Sequence, residues 1–483
     1  MEKIDIYNEQ RKRTGYRKDS RLSLKPSEYK MNVQLWIMNE QEEVLLTKRD
    51  VSLTHPGLWD CIETVPLAGK SSLDAAIDAA KDLLGLRIKP EDVVWMKLDS
   101  ELECPKFCDV FLCRKNFSLD IVQLNDKQYS DVQYVDRVQF EKLCKHQKMV
   151  PVVTQFYQLY EKNKQQGIFD RQYQVYIDRT KTYLKGNLHT HSTFSDGIYS
   201  ADQLVTIYQE AGYQFLGMTD HDVWYRGKVD YPDFFILPGV EQGFHYQGTD
   251  ETKGVYTHFN CYGSCQEILK RDSISYQDVK EIDSKLAEIS QTNSLIQFNH
   301  PAVSKFEDQE LLQMTHYQLF ELYNHKDFLM ETGMGACERS VRYLLDHGRK
   351  VLVTAGDDFH GPYQQEFFGN CFGGYVMVEA ELQEESILKA LRDGKFYAST
   401  GPEIMDYRLK GRVLSIKCDP VSHIIFYTNL RHCKNIYETD GGLVCHGEYV
   451  LTGEETYVWV KVIDEQGHAA WTQPIYFDAT PYF

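Results

Sequence analysis

From about residue 184 to residue 400 the sequence alternates short apolar runs with amphipathic segments, and this alternation constrains the fold more than any other feature. The apolar runs have the length of strands, as in FLGMTD, FFILPG, SLIQFNH and KVLVTAGDD. Helical segments lie between them. In SADQLVTIYQEAGY, Ser200 and Gln203 form a capping box and Gly212 follows the last turn. Strands that alternate with helices are typical of parallel βα units, so this stretch is predicted to be an α/β domain.

Residues that can bind a metal recur along these apolar runs. In KGNLHTHSTFSDG, His189 and His191 are two apart in a predicted strand, so both side chains leave one face, and Asp196 follows closely. Four later runs are expected to end on such a residue, and a further histidine lies in YTHFNCYG. These candidates are His221, Glu241, His300, Asp358 with His360, and His258. Because the carboxyl ends of parallel barrel strands converge on one mouth, all of them are expected to meet there.

The same residues have a plainer interpretation as helix caps and loop residues, and Asp220 and Asp357 fit that interpretation well. However, ordinary folding gives no reason to end strand after strand on His, Asp or Glu, because burying unpaired polar groups is costly. The repetition therefore favours a metal site. Nitrogen and oxygen donors without thiolate suit Zn, Mn or Fe, and the sequence does not choose among these ions.

Residues 184–400, with these motifs in this order, resemble the polymerase-and-histidinol-phosphatase (PHP) superfamily of metal-dependent phosphoesterases. The resemblance implies a distorted seven-stranded (β/α) barrel with two or three divalent metal ions. It implies Glu241, Asp358 and His360 as catalytic residues; Asp358 is preferred to Asp357 because Asp-x-His matches the family spacing. The implied ligand sets are His189, His191, Glu241 and Asp358 for the first ion, Glu241, His258 and His300 for the second, and Asp196, His221 and His360 for the third.

The stretch LKALRDGKFYASTGPEI, with a β domain after it, looks like the carbaryl-hydrolase-type branch of this superfamily. That branch is associated with carbamate and ester hydrolysis as well as with phosphoesters. Two ions that share Glu241 would lower the pKa of a bound water toward about 7, so no protein nucleophile is required. Arg226 and Lys228 in HDVWYRGK could receive a phosphate group, or they are solvated loop charges. His245 and His325 are expected to be loop or packing residues.

Residues 1–163 open with a predicted hairpin, formed by the runs MNVQLWIMN and EEVLLTKRD with the turn-forming NEQ between them. A serine-capped amphipathic helix follows in SSLDAAIDAAKDLLGL and stops at Gly85. With the run LLTKRDVSLTHPGLWD, this helix resembles that of a Nudix domain, which implies an α/β/α sandwich. The polar stretch EKNKQQGIFDRQYQ, from Glu161, is predicted to be a linker.

The Nudix resemblance lacks most of the family's metal ligands. The family carries an Arg-Glu pair and then two adjacent glutamates that bind Mg²⁺, and here those positions read Asp78-Ala79 and Asp82-Leu83. Lys70 stands where a glutamate usually follows the preceding glycine. Because Mg²⁺ needs several oxygen ligands, we predict a Nudix-like domain without pyrophosphohydrolase activity, kept for ligand sensing or dimer contacts.

Beyond about residue 405 the sequence carries alternating strands such as TYVWVKVID, with the turn signals DGG and EQG. Residues 405–483 are therefore predicted to form a small antiparallel, β-sandwich-like domain. Trp459 and Trp471 at alternating strand positions are expected to be core or domain-contact residues. Three domains are thus expected, at 1–163, 184–400 and 405–483, in an α/β multidomain protein.

Charge and hydropathy restrict the possible partners. A formal net charge of −18 argues against binding to duplex nucleic acid. No apolar stretch approaches the roughly eighteen residues that would span a bilayer. The charged N-terminal segment MEKIDIYNEQRKRTG lacks the pattern of a secretory signal, so the expected location is the cytoplasm. A small anionic or ester substrate and a homo-oligomer are both compatible with the sequence.

Three functions follow from these observations. The leading hypothesis is hydrolysis of a phosphomonoester or phosphodiester by metal-activated water at a di- or trinuclear site. The second is hydrolysis of a carboxyl ester or carbamate at the same site. The third is a non-enzymatic, metal-stabilised sensor that uses the Nudix-like domain; a fully coordinated site without an open water position would favour it.

Overall fold

The computed structural model describes residues 3–9, 11, 13–96, 107–125, 127–246, 255–263, 275–276, 278–292, 294–304, 306–331, 333, 335–362 and 371–477. Over these ranges the chain is a mixed α/β protein with several sheets. None of the helices in the same ranges has both the length and the apolar character needed to cross a membrane.

The N-terminal unit has a two-stranded sheet, β1 with β2, and a larger mixed sheet. In the larger sheet β5, β4, β3, β8 and β7 are neighbours in that order, and β6 and β9 pair with β3 and β4. The strands are β1 (Lys3–Tyr7), β2 (Arg13–Asp19), β3 (Asn32–Met38), β4 (Val44–Arg49), β5 (Trp59–Asp60), β6 (Ile62–Thr64), β7 (Val93–Met96), β8 (Cys108–Arg114) and β9 (Tyr129–Val135). The helices are α1 (Ser72–Leu84), α2 (Arg137–Lys145) and α3 (Phe156–Gln165), with 3-10 turns at Pro90–Asp92, Leu119–Ile121 and Pro151–Val153.

Strand β3 shows how this sequence produces three layers. Leu35 and Ile37 pack into one core together with α1, whereas Trp36 points to the opposite face. There it stacks on Phe156 of α3, with ring centroids 4.0 Å apart, beside Phe140 of α2. Alternate side chains of a strand leave opposite faces, so both faces of this sheet are covered by helices. The N-terminal unit is an α/β/α sandwich, and the predicted hairpin β3–β4 is present in it.

The middle unit supplies most of the longest sheet. Its strands are β11 (Leu184–Asn187), β12 (Phe215–Met218), β13 (Asp230–Tyr231), β14 (Phe234–Tyr246), β15 (Val255–Tyr262), β16 (Ser275–Tyr276), β17 (Leu295–Phe298), β18 (Leu319–Asn324), β19 (Leu352–Gly356), β20 (Tyr375–Val378) and β21 (Phe396–Ser399). Its helices are α4 (Ala201–Glu210), α5 (Val279–Ser290), α6 (Pro301–Ser304), α7 (Asp308–Gln313), α8 (Glu338–Asp346) and α9 (Glu384–Arg392), with a π-helical turn at Asp327–Glu331. The capping box predicted for α4, Ser200 with Gln203, is present.

Seven strands of this unit follow one another in the sheet order β19-β18-β17-β15-β14-β12-β11. The neighbouring pairs run parallel except where β15 is involved, because β15 is antiparallel to both β14 and β17. The sheet also curls. Gly374, just before β20, approaches the end of β19 so closely that a Cβ there would lie 2.6 Å from the carbonyl oxygen of Gly356.

Two local expectations for the candidate ligands are wrong. Glu241 does not end a strand, because β14 continues past it to Tyr246 and changes partner from parallel β12 to antiparallel β15. His189 and His191 do not lie in a strand, since β11 ends at Asn187 and both histidines follow it.

The C-terminal unit consists of antiparallel strands in two sheets. They are β22 (Ile404–Lys410), β23 (Val413–Val421), β24 (His423–Thr428), β25 (Lys434–Ile436), β26 (Val444–Val450), β27 (Tyr457–Ile463), β28 (Ala469–Trp471) and β29 (Ile475–Tyr476). One sheet has the order β10-β22-β23-β26, in which β10 (Tyr173–Asp178) comes from the segment before the middle unit, and the others extend the long sheet through the pairing of β21 with β28. Trp459 and Trp471 are buried, and the Trp471 indole donates to Glu338 of α8 at 3.1 Å, so Trp471 is a contact between units.

The predicted linker after Glu161 is not a linker. Helix α3 extends through its first residues to Gln165, a 3-10 turn follows at Asp170–Gln172, and β10 (Tyr173–Asp178) then pairs with β22. The Gln172 side chain accepts from the backbone N–H of Trp95 at 2.8 Å and donates to its carbonyl at 2.9 Å. This segment therefore joins the N-terminal sandwich to the C-terminal sheet. The limits 1–163, 184–400 and 405–483 stay predictions.

Candidate metal centre

The carboxylate of Glu241 is the centre of a buried polar cluster. Glu241 is fully buried, and five histidine rings approach its two oxygens. Oε1 lies 3.1 Å from each of His189 Nε2, His258 Nδ1 and His300 Nε2, and Oε2 lies 3.3 Å from His191 Nε2 and 3.0 Å from His221 Nδ1. One carboxylate is therefore placed to serve more than one ion at the same time.

Two further carboxylates complete the cluster. Asp358 Oδ1 lies 3.4 Å from His189 Nε2, 3.2 Å from His191 Nε2 and 3.5 Å from His360 Nδ1. Asp196 lies 3.5 Å from His191, 3.6 Å from His221 and 3.4 Å from His360. The structure thus brings all nine ligand candidates from the sequence into one place.

Within the cluster, four overlapping groups have donor atoms that all lie within 4.8 Å of one another. These groups are His191, Asp196, His221 and His360; His189, His300 and Asp358; His189, His191 and Glu241; and His221, Glu241 and His258. These groups differ in two main ways from the ligand sets that the family resemblance implies. His300 is grouped with Asp358, and His191 is grouped with Asp196. The assignment of each residue to a particular ion stays a prediction.

The loop after β11 is folded by Asp220, which is fully buried. Its carboxylate accepts from the Ser192 N–H at 2.8 Å, from the Ser192 hydroxyl at 2.7 Å and from the Ser195 N–H at 3.0 Å. These bonds turn the chain so that Asp196 faces His191. Asp220 therefore organises the loop, in agreement with its interpretation from the sequence as a cap or loop residue.

Backbone strain accompanies two of the cluster residues. His300 has φ +25° and Asp358 has φ +54°, in the left-handed region that non-glycine residues adopt at a cost on the order of 1–3 kcal/mol. Tertiary hydrogen bonds hold both. The His300 N–H donates to Glu321 Oε2 at 2.8 Å, and the Asp358 N–H donates to the His189 carbonyl at 3.1 Å.

Glu321 is a buried residue of this site that the sequence reasoning missed. It lies in β18 and is 1% exposed, and its Oε1 is 2.9 Å from His189 Nδ1. A carboxylate at Nδ1 fixes the tautomer and the ring orientation of a histidine, which leaves Nε2 free to bind. Asn324 donates to both Glu321 and Asp358, at 3.0 and 3.3 Å. The sequence feature that could have revealed Glu321 is that it is a single glutamate inside the apolar run LFELYN.

The electrostatics of the cluster keep its carboxylates ionised. Burial raises the pKa of Glu241, but the surrounding imidazoles, those of His258 and His189 foremost, outweigh burial and hold it well below its usual range. Burial raises the pKa of Asp358 as well, but His189, Lys326 and His191 together outweigh burial and hold it well below its usual range. Burial, together with a neighbouring histidine, lowers the pKa of His360 to about 4. Against the effect of burial, the surrounding carboxylates raise the pKa of His189, His221 and His300, so protons and metal ions compete for these imidazole nitrogens.

The donor set fits divalent metal ions. Five buried atoms that could bind a metal make no well-aligned hydrogen bond with the described atoms, although imidazole and carboxylate atoms lie close to several of them. They are His189 Nε2, His191 Nδ1 and Nε2, His300 Nδ1 and Glu241 Oε2. Buried polar atoms without partners are costly unless something else satisfies them. The side chain of Asp196 is 55% exposed, so the cluster is closed behind Glu241 and open to solvent at Asp196.

The remaining candidates lie outside the cluster. Asp357 accepts from Tyr208 and from three backbone N–H groups at residues 372–374, so it organises the chain before β20. Arg226 and Lys228 are exposed, and the Lys228 ammonium lies 4.0 Å over the ring of Tyr231. Their role in substrate binding stays a prediction.

His325 and His245 were expected from the sequence to be loop or packing residues, and the structure describes the side chain of His325 but not that of His245. His325 Nδ1 lies 2.9 Å from the Tyr323 hydroxyl, as expected for a packing residue. His245 falls in β14, and its side chain lies outside the described part of the structure.

Comparison with known proteins finds similarities to parts of the chain. No family model matches. The DNA polymerase/3′-5′ exonuclease PolX of Bacillus subtilis is 29% identical over 85 residues, which cover 14% of this chain and 15% of the polymerase, so the chain spans a small part of that relative.

Among solved structures, a two-domain protein of Bacteroides vulgatus, described as containing a predicted PHP-like metal-dependent phosphoesterase, is 16% identical. It matches 63% of this chain and 98% of its own, with a TM-score of 0.34. A MutT protein of Methanosarcina mazei is 17% identical and matches 28% of this chain and 95% of its own, with a TM-score of 0.22. Parts of this chain are thus similar to a PHP-like phosphoesterase and to a MutT protein.

Proposed function

We propose that this chain is a PHP-type metal-dependent hydrolase that cleaves a phosphomonoester or phosphodiester with activated water at a di- or trinuclear site. In this proposal the curled seven-stranded sheet, in which β15 runs antiparallel to its two neighbours, is the distorted (β/α) barrel of that family. The observation that carries the proposal is Glu241, a fully buried carboxylate within 3.3 Å of five imidazoles. A carboxylate so placed can join two cation sites.

The residues that would hold the ions are the nine of the cluster: His189, His191, Asp196, His221, Glu241, His258, His300, Asp358 and His360. Divalent cations bound there would supply Lewis acidity toward water and toward the oxygens of a substrate. Zn, Mn and Fe all suit this set of nitrogen and oxygen donors.

The chain itself contributes orientation and an open face. Glu321 fixes the ring of His189 through Nδ1, and Asn299 donates to Glu241 Oε1 at 2.8 Å, so the buried side of the cluster is held rigidly. The side chain of His360 is 15% exposed and that of Asp196 is 55% exposed, so a substrate can approach from their side. An open face of this kind supports an enzyme rather than a closed structural site.

The test is turnover of chromogenic phosphomonoester, phosphodiester and carboxyl-ester substrates by protein reconstituted with Mn²⁺ or Zn²⁺, with metal content measured on the same sample. We expect phosphoester turnover that is lost, with bound metal, in His189→Ala. The matched control is His347→Ala, an exposed histidine at the end of α8, which should keep both metal and turnover. Turnover of the carboxyl ester alone would support the ester or carbamate alternative, and bound metal without turnover of any substrate would contradict an enzymatic role.

A further inference from the structure

Two large apolar side chains are exposed on the loop that carries Asp196. Phe194 is 56% exposed and Ile198 is 55% exposed, and each is two residues away from Asp196 in the sequence. Single exposed apolar residues are common on protein surfaces and need no explanation. Here, however, two of them flank a ligand candidate whose own side chain is open to solvent.

Ile198 is held beside a second ligand candidate of the open side, His360. The Ile198 N–H donates to the His360 carbonyl at 3.0 Å. The Ile198 side chain lies against the next residue, since a Cβ on Gly361 would be 2.5 Å from Ile198 Cγ1. Within the loop, the Thr193 N–H donates to the Tyr199 carbonyl at 2.9 Å. The position of Ile198 is therefore fixed by the backbone on both sides of it.

Phe194 lies toward the segment that carries His221. Its ring meets that of Tyr225 edge to face, with ring centroids 6.0 Å apart and ring planes at 75°. Tyr225 is 3% exposed and follows His221 by four residues. The Tyr225 hydroxyl donates to the Lys228 carbonyl at 2.8 Å, and its N–H donates to the Gly239 carbonyl at 3.0 Å. Phe194 therefore rests on an anchored ring and keeps more than half of its surface exposed.

The surface that this pair provides favours one class of organic group. Phe194 and Ile198 place carbon atoms next to the ligand candidates of the open side, which are Asp196, His221 and His360. A sugar or a charged group would lose hydration against this surface and gain no hydrogen bond from it. An apolar group gains from leaving water, and an aromatic ring gains further from contact with the ring of Phe194. The surface therefore suits an aromatic substituent.

We propose that Phe194 and Ile198 bind an aromatic group of the substrate, next to the ester that is hydrolysed. The inference rests on the proposed function and identifies the organic part of the substrate, which the metal ligands do not determine. In a phosphomonoester this part is the leaving alcohol, and in a phosphodiester it is one of the two alcohols. Aryl phosphoesters should accordingly be preferred to phosphoesters of sugars or of short alkyl alcohols.

The test compares phenylphosphonate with methylphosphonate as ligands of the full-length, Zn-loaded protein in calorimetric titrations. Both carry the same kind of anionic group on a carbon–phosphorus bond, which is not an ester, so the organic group is what differs. The wild type should bind phenylphosphonate about tenfold or more tightly than methylphosphonate. Phe194→Ser and Ile198→Ser should each weaken phenylphosphonate binding about 5- to 10-fold and change methylphosphonate binding by less than about twofold.

Two further variants serve as controls. Ile121→Ser is matched to Ile198→Ser, because Ile121 is 54% exposed and lies in a 3-10 turn of the N-terminal unit. It should match the wild type for both ligands. Phe194→Trp keeps an aromatic ring on the loop and should retain the preference for phenylphosphonate. Metal content and oligomeric state are measured on the same samples.

Several outcomes would overturn the inference. One is equal binding of the two phosphonates by the wild type, or no binding of phenylphosphonate. Another is loss of metal in Phe194→Ser, which would mean that Phe194 only supports the loop of Asp196. Dissociation of an oligomer in that variant would mean that Phe194 contacts a second copy of the chain instead.

Turnover tests the proposed function separately. A wild-type protein that prefers phenylphosphonate but hydrolyses no phosphoester would contradict the proposed function while supporting the aromatic binding face. Phosphoester turnover without a preference for phenylphosphonate would do the reverse.

Discussion

Glu241→Gln is the substitution that tests the architecture of the metal centre most directly. It keeps the shape of the side chain and removes one negative charge from a position within 3.3 Å of five imidazoles. The amide also replaces one acceptor oxygen by a donor, so at least one side of the group can no longer bind a cation. Binding of both ions that Glu241 is proposed to share should therefore be weakened.

The size of the effect follows from the burial of Glu241. Removing one partner of a buried charge pair costs about 3–5 kcal/mol, because the other partner is left uncompensated. With about 1.4 kcal/mol for each factor of ten, metal affinity should fall by roughly two to three and a half orders of magnitude. Turnover should fall with metal content, since the proposed reaction depends on the ions that Glu241 is proposed to bind.

The assay is metal content by mass spectrometry after dialysis, followed by competition with a chelator of known affinity. Glu288→Gln is the control, because Glu288 is a carboxylate with a 59% exposed side chain on α5, outside the cluster. Thermal melts of the chelated proteins separate loss of metal from loss of fold. If Glu241→Gln kept wild-type metal content and turnover, the assignment of Glu241 as a shared ligand would be wrong.

Three further predictions concern other parts of the molecule. Glu321→Gln should weaken metal binding about 10- to 100-fold without removing a ligand, because His189 loses the carboxylate that orients it; unchanged affinity in the chelator competition would exclude this role. Full-length protein carrying Glu241→Gln should show no Mg²⁺-dependent release of product from ADP-ribose or a nucleoside triphosphate, since Ala79 and Leu83 of α1 stand where the family has glutamates, and Lys70, just before α1, pairs with Asp78; measurable turnover would contradict the loss of Nudix activity. Trp459→Ala should lower the free energy of unfolding by about 3–5 kcal/mol in denaturant titrations, because the fully buried indole leaves a cavity and its N–H bond to the Thr472 carbonyl is lost; a change below about 1 kcal/mol would mean that the core relaxes around it.

The ligand candidates could be predicted because their signal is local. Each is a His, Asp or Glu that adjoins a short apolar run, and strands of this length can be recognised from a few residues. Helix ends were readable for the same reason. For α1 the sequence indicated a serine cap and a stop at Gly85. In the structure Ser71 caps this helix, in a capping box with Asp74, and Gly85 ends it in the left-handed conformation.

The features that could not be predicted depend on partners far along the chain. Glu241 lies inside a strand because β14 exchanges parallel β12 for antiparallel β15, and no residue near Glu241 encodes that exchange. Glu321 is one charged residue in an apolar run. Its role in the site depends on contact with His189, which lies far away in the sequence. The polar composition after Glu161 predicted a linker, whereas the pairing of β10 with β22 makes part of it a strand.

Strand β10 has a practical consequence for dividing the protein. It is the outer strand of its sheet, and it covers the hydrogen-bonding edge of β22. A fragment that begins at residue 184, which similarity to PHP-like proteins alone would suggest, lacks β10. It would leave the backbone N–H and C=O groups of β22 exposed as a template for strands of other molecules. Such a fragment should aggregate at concentrations where a fragment beginning before Gln172 stays dispersed.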